Sequence, residues 1–282
     1  MKNIIALSIL GLWSMSASAQ EDSTEKKKTT FTVGATYAND VSYYGQRAEE
    51  RMPYIAASAS LRLPSGIYFS GLGYRLLNDS SNVVSASAVS AGIAFNLGKK
   101  LSADISYSHL FFPAHSPLLQ AANSDMASAS LSYEYWMTTG VNVDYAFGKE
   151  QDVFVTLSTE KFINLGHLFS QKDFVSLTPS VEIVGGTQHF YQTYVEEKRL
   201  RDSLLGILPL PIIGGQDDEP ATTTSSSTSF DLLSYNLRIP LAYNRSNYLV
   251  EAACQLSLPG KHAEAGAGNL NTFFTFSFYY QF

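Results

Sequence analysis

Residues 271–282, NTFFTFSFYYQF, carry an aromatic at nearly every second position and finish on one. Side chains of a strand alternate between its two faces. Phe274, Phe276, Phe278, Tyr280 and Phe282 therefore share one face, and Thr275, Ser277, Tyr279 and Gln281 the other. A soluble sheet needs a large core to cover such an aromatic face. Lipid covers it equally well, and the rest of the chain decides between the two.

The chain opens MKNIIALSILGLWSMSASAQ. A lysine, then an apolar run of about ten residues, then the small-x-small sequence Ala17-Ser18-Ala19 is the pattern of an export signal. Residues 1–19 are expected to be a signal peptide cleaved near Ala19, and residues 20–28 a periplasmic tail. The apolar run is too short for a spanning helix, which needs about 20 residues, and no comparable run follows it. Net charge is −6, which argues against nucleic-acid binding. The lone Cys254 excludes an internal disulfide and a multi-cysteine zinc site. Yet 45% of residues are hydrophobic and only 16% are charged. An exported chain of this kind, with no spanning helix, fits a closed β-barrel in a bacterial outer membrane.

The period-two pattern recurs along the chain. In 230–244, Leu233, Tyr235, Leu237, Ile239, Leu241 and Tyr243 oppose Ser234, Asn236, Arg238 and Asn244. In 248–258, Val250, Ala252, Cys254, Leu256 and Leu258 oppose Glu251, Gln255 and Ser257. Similar segments begin near Phe31, Ile55, Val89, Leu101, Ala127, Val141, Asp152 and Val175. The phase of 67–77 is ambiguous, and placing Arg75 inward puts Tyr68, Leu72, Tyr74 and Leu76 on the outside. The fold expected is all-β: a transmembrane antiparallel up-and-down barrel of about 12 strands over residues 29–282.

Pro64-Ser65-Gly66, residues 97–100 and residues 244–247 are tight-turn signals, and longer polar stretches such as 41–52 alternate with them. Short turns should be periplasmic, long ones extracellular, and both termini periplasmic. The link from Asn164 to Asp173 is too long for this scheme. A β-sandwich also has many alternating strands, but it gives no reason for tyrosines near strand ends. Tyr37, Tyr54, Tyr107, Tyr135, Tyr243 and Tyr280 fit the aromatic girdles of a membrane barrel.

The terminal strand resembles the C-terminal signal of outer-membrane barrels. That resemblance makes Phe278, Tyr280 and Phe282 an assembly signal for the barrel-insertion machinery. With TPSVEIVGGTQHFY (178–191) and YNLRIPLAYNRSNYLVEAA (235–253), the chain resembles the small porin-type barrels of Gram-negative bacteria. The role this implies is passive passage of small solutes or ions, with outer-membrane lipid as surroundings. A closed structural barrel with partner-binding loops is the alternative, and a lipid-modifying enzyme a weaker one.

The lumen-facing charges expected from strand phase are Asp40, Arg62, Arg75, Asp104, Glu134, Asp144, Glu160, Glu182, Arg238 and Glu251. Their acidic excess favours cations if water passes. No catalytic residue, metal site or cofactor is expected. The five histidines lack metal-ligand spacing. His109 is a conceivable outer-wall base, but nearby serines have the opposite phase. Gly185-Gly186 suggests a bulge. Segment 191–229 is expected to be a long extracellular loop. It passes from a charged start through the apolar GILPLPIIGG to a Ser/Thr run, and its apolar part is a candidate for restricting the mouth.

Overall fold

The computed structural model describes residues 28–79, 82–113, 116–191 and 229–282, and a separate two-residue pairing of Ile4–Ile5 with Ser14–Met15. The leader cleavage site, the 20–28 tail except Lys28, His115 and most of the long segment lie outside the described residues.

Twelve antiparallel strands close into a barrel. In chain order they are β1 (Thr30–Ala38), β2 (Tyr54–Arg62), β3 (Ile67–Leu76), β4 (Ala86–Asn96), β5 (Leu101–Phe111) and β6 (Asp125–Glu134). There follow β7 (Thr138–Phe147), β8 (Gln151–Glu160, resuming over Ile163–Gly166) and β9 (Asp173–Leu177, then Ser180–Gly186). The last are β10 (Asp231–Arg245), β11 (Tyr248–Pro259) and β12 (Asn271–Gln281). Each pairs with its sequence neighbours, and β12 returns to β1 with Phe278 opposite Ala35. Closure leaves no sheet edge to satisfy in lipid. Phe282 continues this seam by donating its N–H to the Phe31 carbonyl at 2.9 Å.

Both interruptions have a local cause. Pro179 has no N–H to give the ladder, so β9 breaks at Thr178-Pro179. Beyond the break, Asn164 still faces Ser176 and Gly166 faces Val175. The long link from Asn164 to Asp173 is therefore mostly hairpin. Its turn is organised by the Asp173 carboxylate, which accepts the N–H groups of Leu168 at 2.9 Å and Ser170 at 2.8 Å.

The outer face carries exposed Phe31, Ile55, Phe69, Ile105, Leu131, Leu157, Leu237, Phe274 and Phe276. So much bare apolar surface on every wall is a lipid-facing exterior. No helix among the described residues is long and apolar enough to cross a membrane. The chain crosses with strands.

Three phase expectations need correction. Arg75 lies on the outer face, opposite Ile55 in the ladder and exposed, while Tyr68, Leu72, Tyr74 and Leu76 are buried inside. Arg75 sits at the loop end of β3, where a cation reaches the polar interface at little cost, so its charge was a poor guide to phase. Leu233 also turns inward and is 0% exposed. A register shift beside Val184/Gly185, the bulge expected at that glycine pair, reverses its phase and puts Leu232 outside. Tyr54 is buried against Tyr74, ring centroids 5.6 Å apart, and so is not part of the outer girdle.

Candidate functional site: the lumen and its plug

The interior is polar on both sides, with serines and charged groups facing inward. Across β2 to β5, Ser60, Ser70, Ser90 and Ser108 stand opposite one another in a continuous row. A second row brings Ser106 opposite Ser128. Ser108 Oγ donates to Ser90 Oγ at 2.8 Å. Ser58, Ser60, Ser70, Ser128, Ser130 and Ser132 are half-buried, whereas Ser90, Ser106 and Ser108 are buried. The β8–β12 side has inward serines too, Ser180, Ser234, Ser257 and Ser277, and among them stand longer, charged groups. Arg238 Nη2 donates to Glu251 Oε1 at 2.6 Å, both buried. Glu182 lies beside Asn236 and Arg238, and buried Glu160 is opposite Ser180. Gathering carboxylates about one guanidinium offsets part of their desolvation cost.

On the β2–β6 side, Asp104 Oδ1 accepts the Tyr68 hydroxyl at 3.0 Å, and Arg62 lies 5.5 Å from the Tyr68 ring centre. The ring lies across Gly92, where any Cβ would collide with it. Glu134 has the inward phase but is exposed at the end of β6. Asp40 lies just beyond β1. It accepts the N–H groups of Val41 at 3.0 Å and Met52 at 2.8 Å, with Arg47 at 3.6 Å. It thus shapes a loop. Asp144 faces inward from β7 and contacts that same loop.

The loop is the β1–β2 connection, residues 39–53, which dips into the barrel. At its tip Tyr43 N–H donates to Gln46 O at 2.8 Å, and Gln46 N–H returns to Tyr43 O at 3.0 Å. Tyr44 has φ 52° and Gly45 φ 81°. Two left-handed residues between paired ends make the tight hairpin turn whose twist matches antiparallel strands. Gly45 is required twice. Its φ suits glycine, and a side chain there would strike Asn236 and Ser234.

Tyr44 stacks on Phe154 with centroids 3.9 Å apart and donates its hydroxyl to Asp144 Oδ2 at 2.9 Å. Tyr43 meets Phe190 edge-on at 5.0 Å. The Tyr44 carbonyl accepts Ser234 Oγ at 2.7 Å, and Gln46 Oε1 accepts Ala265 N–H at 3.3 Å. Burial, with Asp152 and Asp144 nearby, raises the Tyr43 hydroxyl well above its ordinary pKa. A second inward segment, the short 3-10 turn Leu119–Ala122, fills the other side, where Gln120 Nε2 donates to the Tyr74 hydroxyl at 3.3 Å.

Asp152 ties the entrance of the long segment into this plug. Its Oδ1 accepts Thr187 Oγ1 at 2.7 Å and His189 N–H at 2.8 Å. Its Oδ2 accepts Asn123 Nδ2 and Phe190 N–H, each at 2.9 Å. The described residues that narrow one end are therefore Tyr43, Tyr44, Phe154 and Phe190. The apolar 206–215 stretch expected there lies outside the described residues. A signal for the plug was present in Tyr43-Tyr44-Gly45, an aromatic pair before a turn glycine. Another was Phe154, a large apolar residue at an inward position.

On the outer wall His109 Nδ1 meets Asp125 Oδ1 at 2.6 Å, while the flanking Ser108 points inward. Cys254 has the outer phase, between Ile239 and Phe274. Among the described residues no group of three or more His, Cys, Asp or Glu is placed to hold a metal ion.

The sequence matches no protein-family model and no curated protein. The fold has clear counterparts among solved structures. A KdgM porin aligns over 89% of this chain and 99% of its own, at 9% identity and a TM-score of 0.51. A bacterial polysaccharide outer membrane secretin aligns over 92% and 99%, at 8% identity and a TM-score of 0.48. LpxR from Salmonella typhimurium aligns over 88% and 99%, at 10% identity and a TM-score of 0.47. In fold, the chain is similar to the β-barrels of outer-membrane porins and channels.

Proposed function

We propose that this protein is an outer-membrane channel for passive diffusion of small polar solutes or ions, with periplasmic termini and extracellular long loops. The observation that carries the reading is the hydroxyl-lined wall of β2–β6. A barrel stabilised only by its core would fill its interior with large side chains, whereas this wall presents serine hydroxyls, of which Ser58, Ser60, Ser70, Ser128, Ser130 and Ser132 are half-buried and suit a wetted path. Inward carboxylates Asp104, Glu134, Glu160, Glu182 and Glu251 outnumber Arg62 and Arg238, which supports a cation preference. The plug restricts the extracellular end, so conductance is small or intermittent. Barrel-assembly machinery recognising Phe278, Tyr280 and Phe282 is part of the same reading.

Single-channel recording of the refolded protein in planar bilayers tests it, with wild type compared against a variant lacking residues 42–47. The expected result is discrete conductance that grows when the tip is removed. If both proteins are folded and electrically silent, the channel reading fails and a closed barrel with partner-binding loops replaces it.

A further inference from the structure

Tyr44 is held as a bound ligand would be. Its ring lies 16° from parallel with Phe154, and Asn142 Nδ2 donates at 2.7 Å to the same Asp144 oxygen that takes the Tyr44 hydroxyl. Phe154 and Asp144 stand directly opposite each other on β8 and β7. Platform and acceptor therefore belong to the barrel wall and persist wherever the hairpin goes. An apolar ring face beside an oriented carboxylate recognises a ring that carries a hydroxyl on its edge.

We propose that Phe154 and Asp144 form a binding site for a hydroxylated ring, a pyranose or a phenol, and that Tyr44 is a tethered occupant which a free solute displaces. The tip is suited to leaving. Tyr44 is the only non-glycine with positive φ among the described residues, and this φ belongs to the self-paired Tyr43–Gln46 turn, so the tip can keep its shape as it moves. Gln46 Nε2 is buried with no hydrogen-bond partner among the described residues, and water satisfies it once the tip is out. The barrel groups that hold the tip's main chain, Ser234 Oγ and Asn271 Nδ2, bond to carbonyls of Tyr44 and Gly45. Water replaces such bonds readily. The inference deepens the channel reading by naming a class of solute.

The test uses Tyr44→Gly, which removes the ring and suits the left-handed backbone, in the full refolded barrel. Titration calorimetry with 4-methylphenol and with a methyl pyranoside is compared across variants. At least one probe is expected to bind Tyr44→Gly tenfold or more tightly than wild type. Adding Asp144→Asn or Phe154→Leu should weaken that binding by tenfold or more. Binding of the phenol alone assigns the site to phenols, and binding of the pyranoside assigns it to sugars. The proposal is overturned if neither probe prefers Tyr44→Gly over wild type, or if the added substitutions leave binding unchanged. Tyr44→Phe, which loses only the hydroxyl, serves where Tyr44→Gly does not refold. It should bind the probe severalfold more tightly than wild type, and equal binding overturns the proposal. A barrel that binds a probe but never conducts keeps this site and loses the channel reading. One that conducts and binds neither probe does the reverse.

Discussion

Asp152→Ala should unseat the start of the long segment from the barrel mouth. The carboxylate accepts from Thr187, from the His189 main chain and ring, from Asn123 and from Phe190. Two of these bonds, to Asn123 Nδ2 and Phe190 N–H, are buried, and the other three are part-buried. A buried donor left without its acceptor costs about 1–3 kcal/mol, so the two together cost about 2–6 kcal/mol. Two effects pull the figure down. The deleted carboxylate no longer has to be desolvated, and the space it leaves can admit water. About 3 kcal/mol is the expected net loss. That corresponds to about a hundredfold shift from seated to released. Hydrogen exchange reads this shift at the amide of Phe190, which also loses its own acceptor, and at that of Tyr191, whose acceptor is the Gln188 carbonyl. Protection there should fall about a hundredfold, while the β1–β12 seam keeps its protection. A fall of less than threefold at Phe190, or an equal loss along the seam, would refute the assignment of Asp152 as the anchor.

Gly45→Val should raise conductance, because its Cβ meets Asn236 and Ser234 and its φ of 81° disfavours a branched side chain; unchanged single-channel current argues against the plug. Converting Glu182 and Asp104 together to their amides should lower cation preference, read as a smaller reversal potential in a salt gradient. Deleting Phe282 removes its contacts with Tyr280, at 4.7 Å, and Phe31, at 5.9 Å. It should reduce membrane insertion with export intact, and normal heat-modifiable mobility at full yield counts against a terminal signal. An epitope inserted after Thr224 should label on intact cells, and labelling that needs permeabilisation inverts the orientation.

The strands were legible in the sequence because lipid imposes one rule on one face. Every outward position must be apolar or interfacial, so residues such as Leu237, Ile239 and Leu241 announce their phase without reference to any partner. The inward face obeys no such rule, and errors collected there. Segment 67–76 has apolar residues on both faces because Tyr68 finds Asp104 and Tyr74 finds Gln120 inside. Its phase depended on residues far away in the chain. Leu233 was misplaced because a bulge shifts phase without changing composition, and only the glycine pair opposite it hinted at one. The Asn164–Asp173 link resisted because hairpin pairing continues past a proline break that reads as an end.

The plug was the least legible part, for a reason that bears on how it works. Its tip pairs with itself, Tyr43 with Gln46, and the hydrogen bonds between it and the barrel strands run to side chains of those strands. Side chains hold it: Asp144 on β7, Ser234 on β10 and Asn271 on β12. Nothing in the local pattern of residues 41–48 requires those three strands to be its neighbours, so the contact cannot be read from the loop. The same independence means that the tip can leave without breaking a hydrogen bond between strands of the wall. Opening then costs the plug's own contacts and no ladder, while closure of the barrel between β12 and β1 is untouched. A constriction made by lengthening wall side chains could not be withdrawn in this way. An inward loop separates the part that must be permanent in lipid from the part that can respond to a solute.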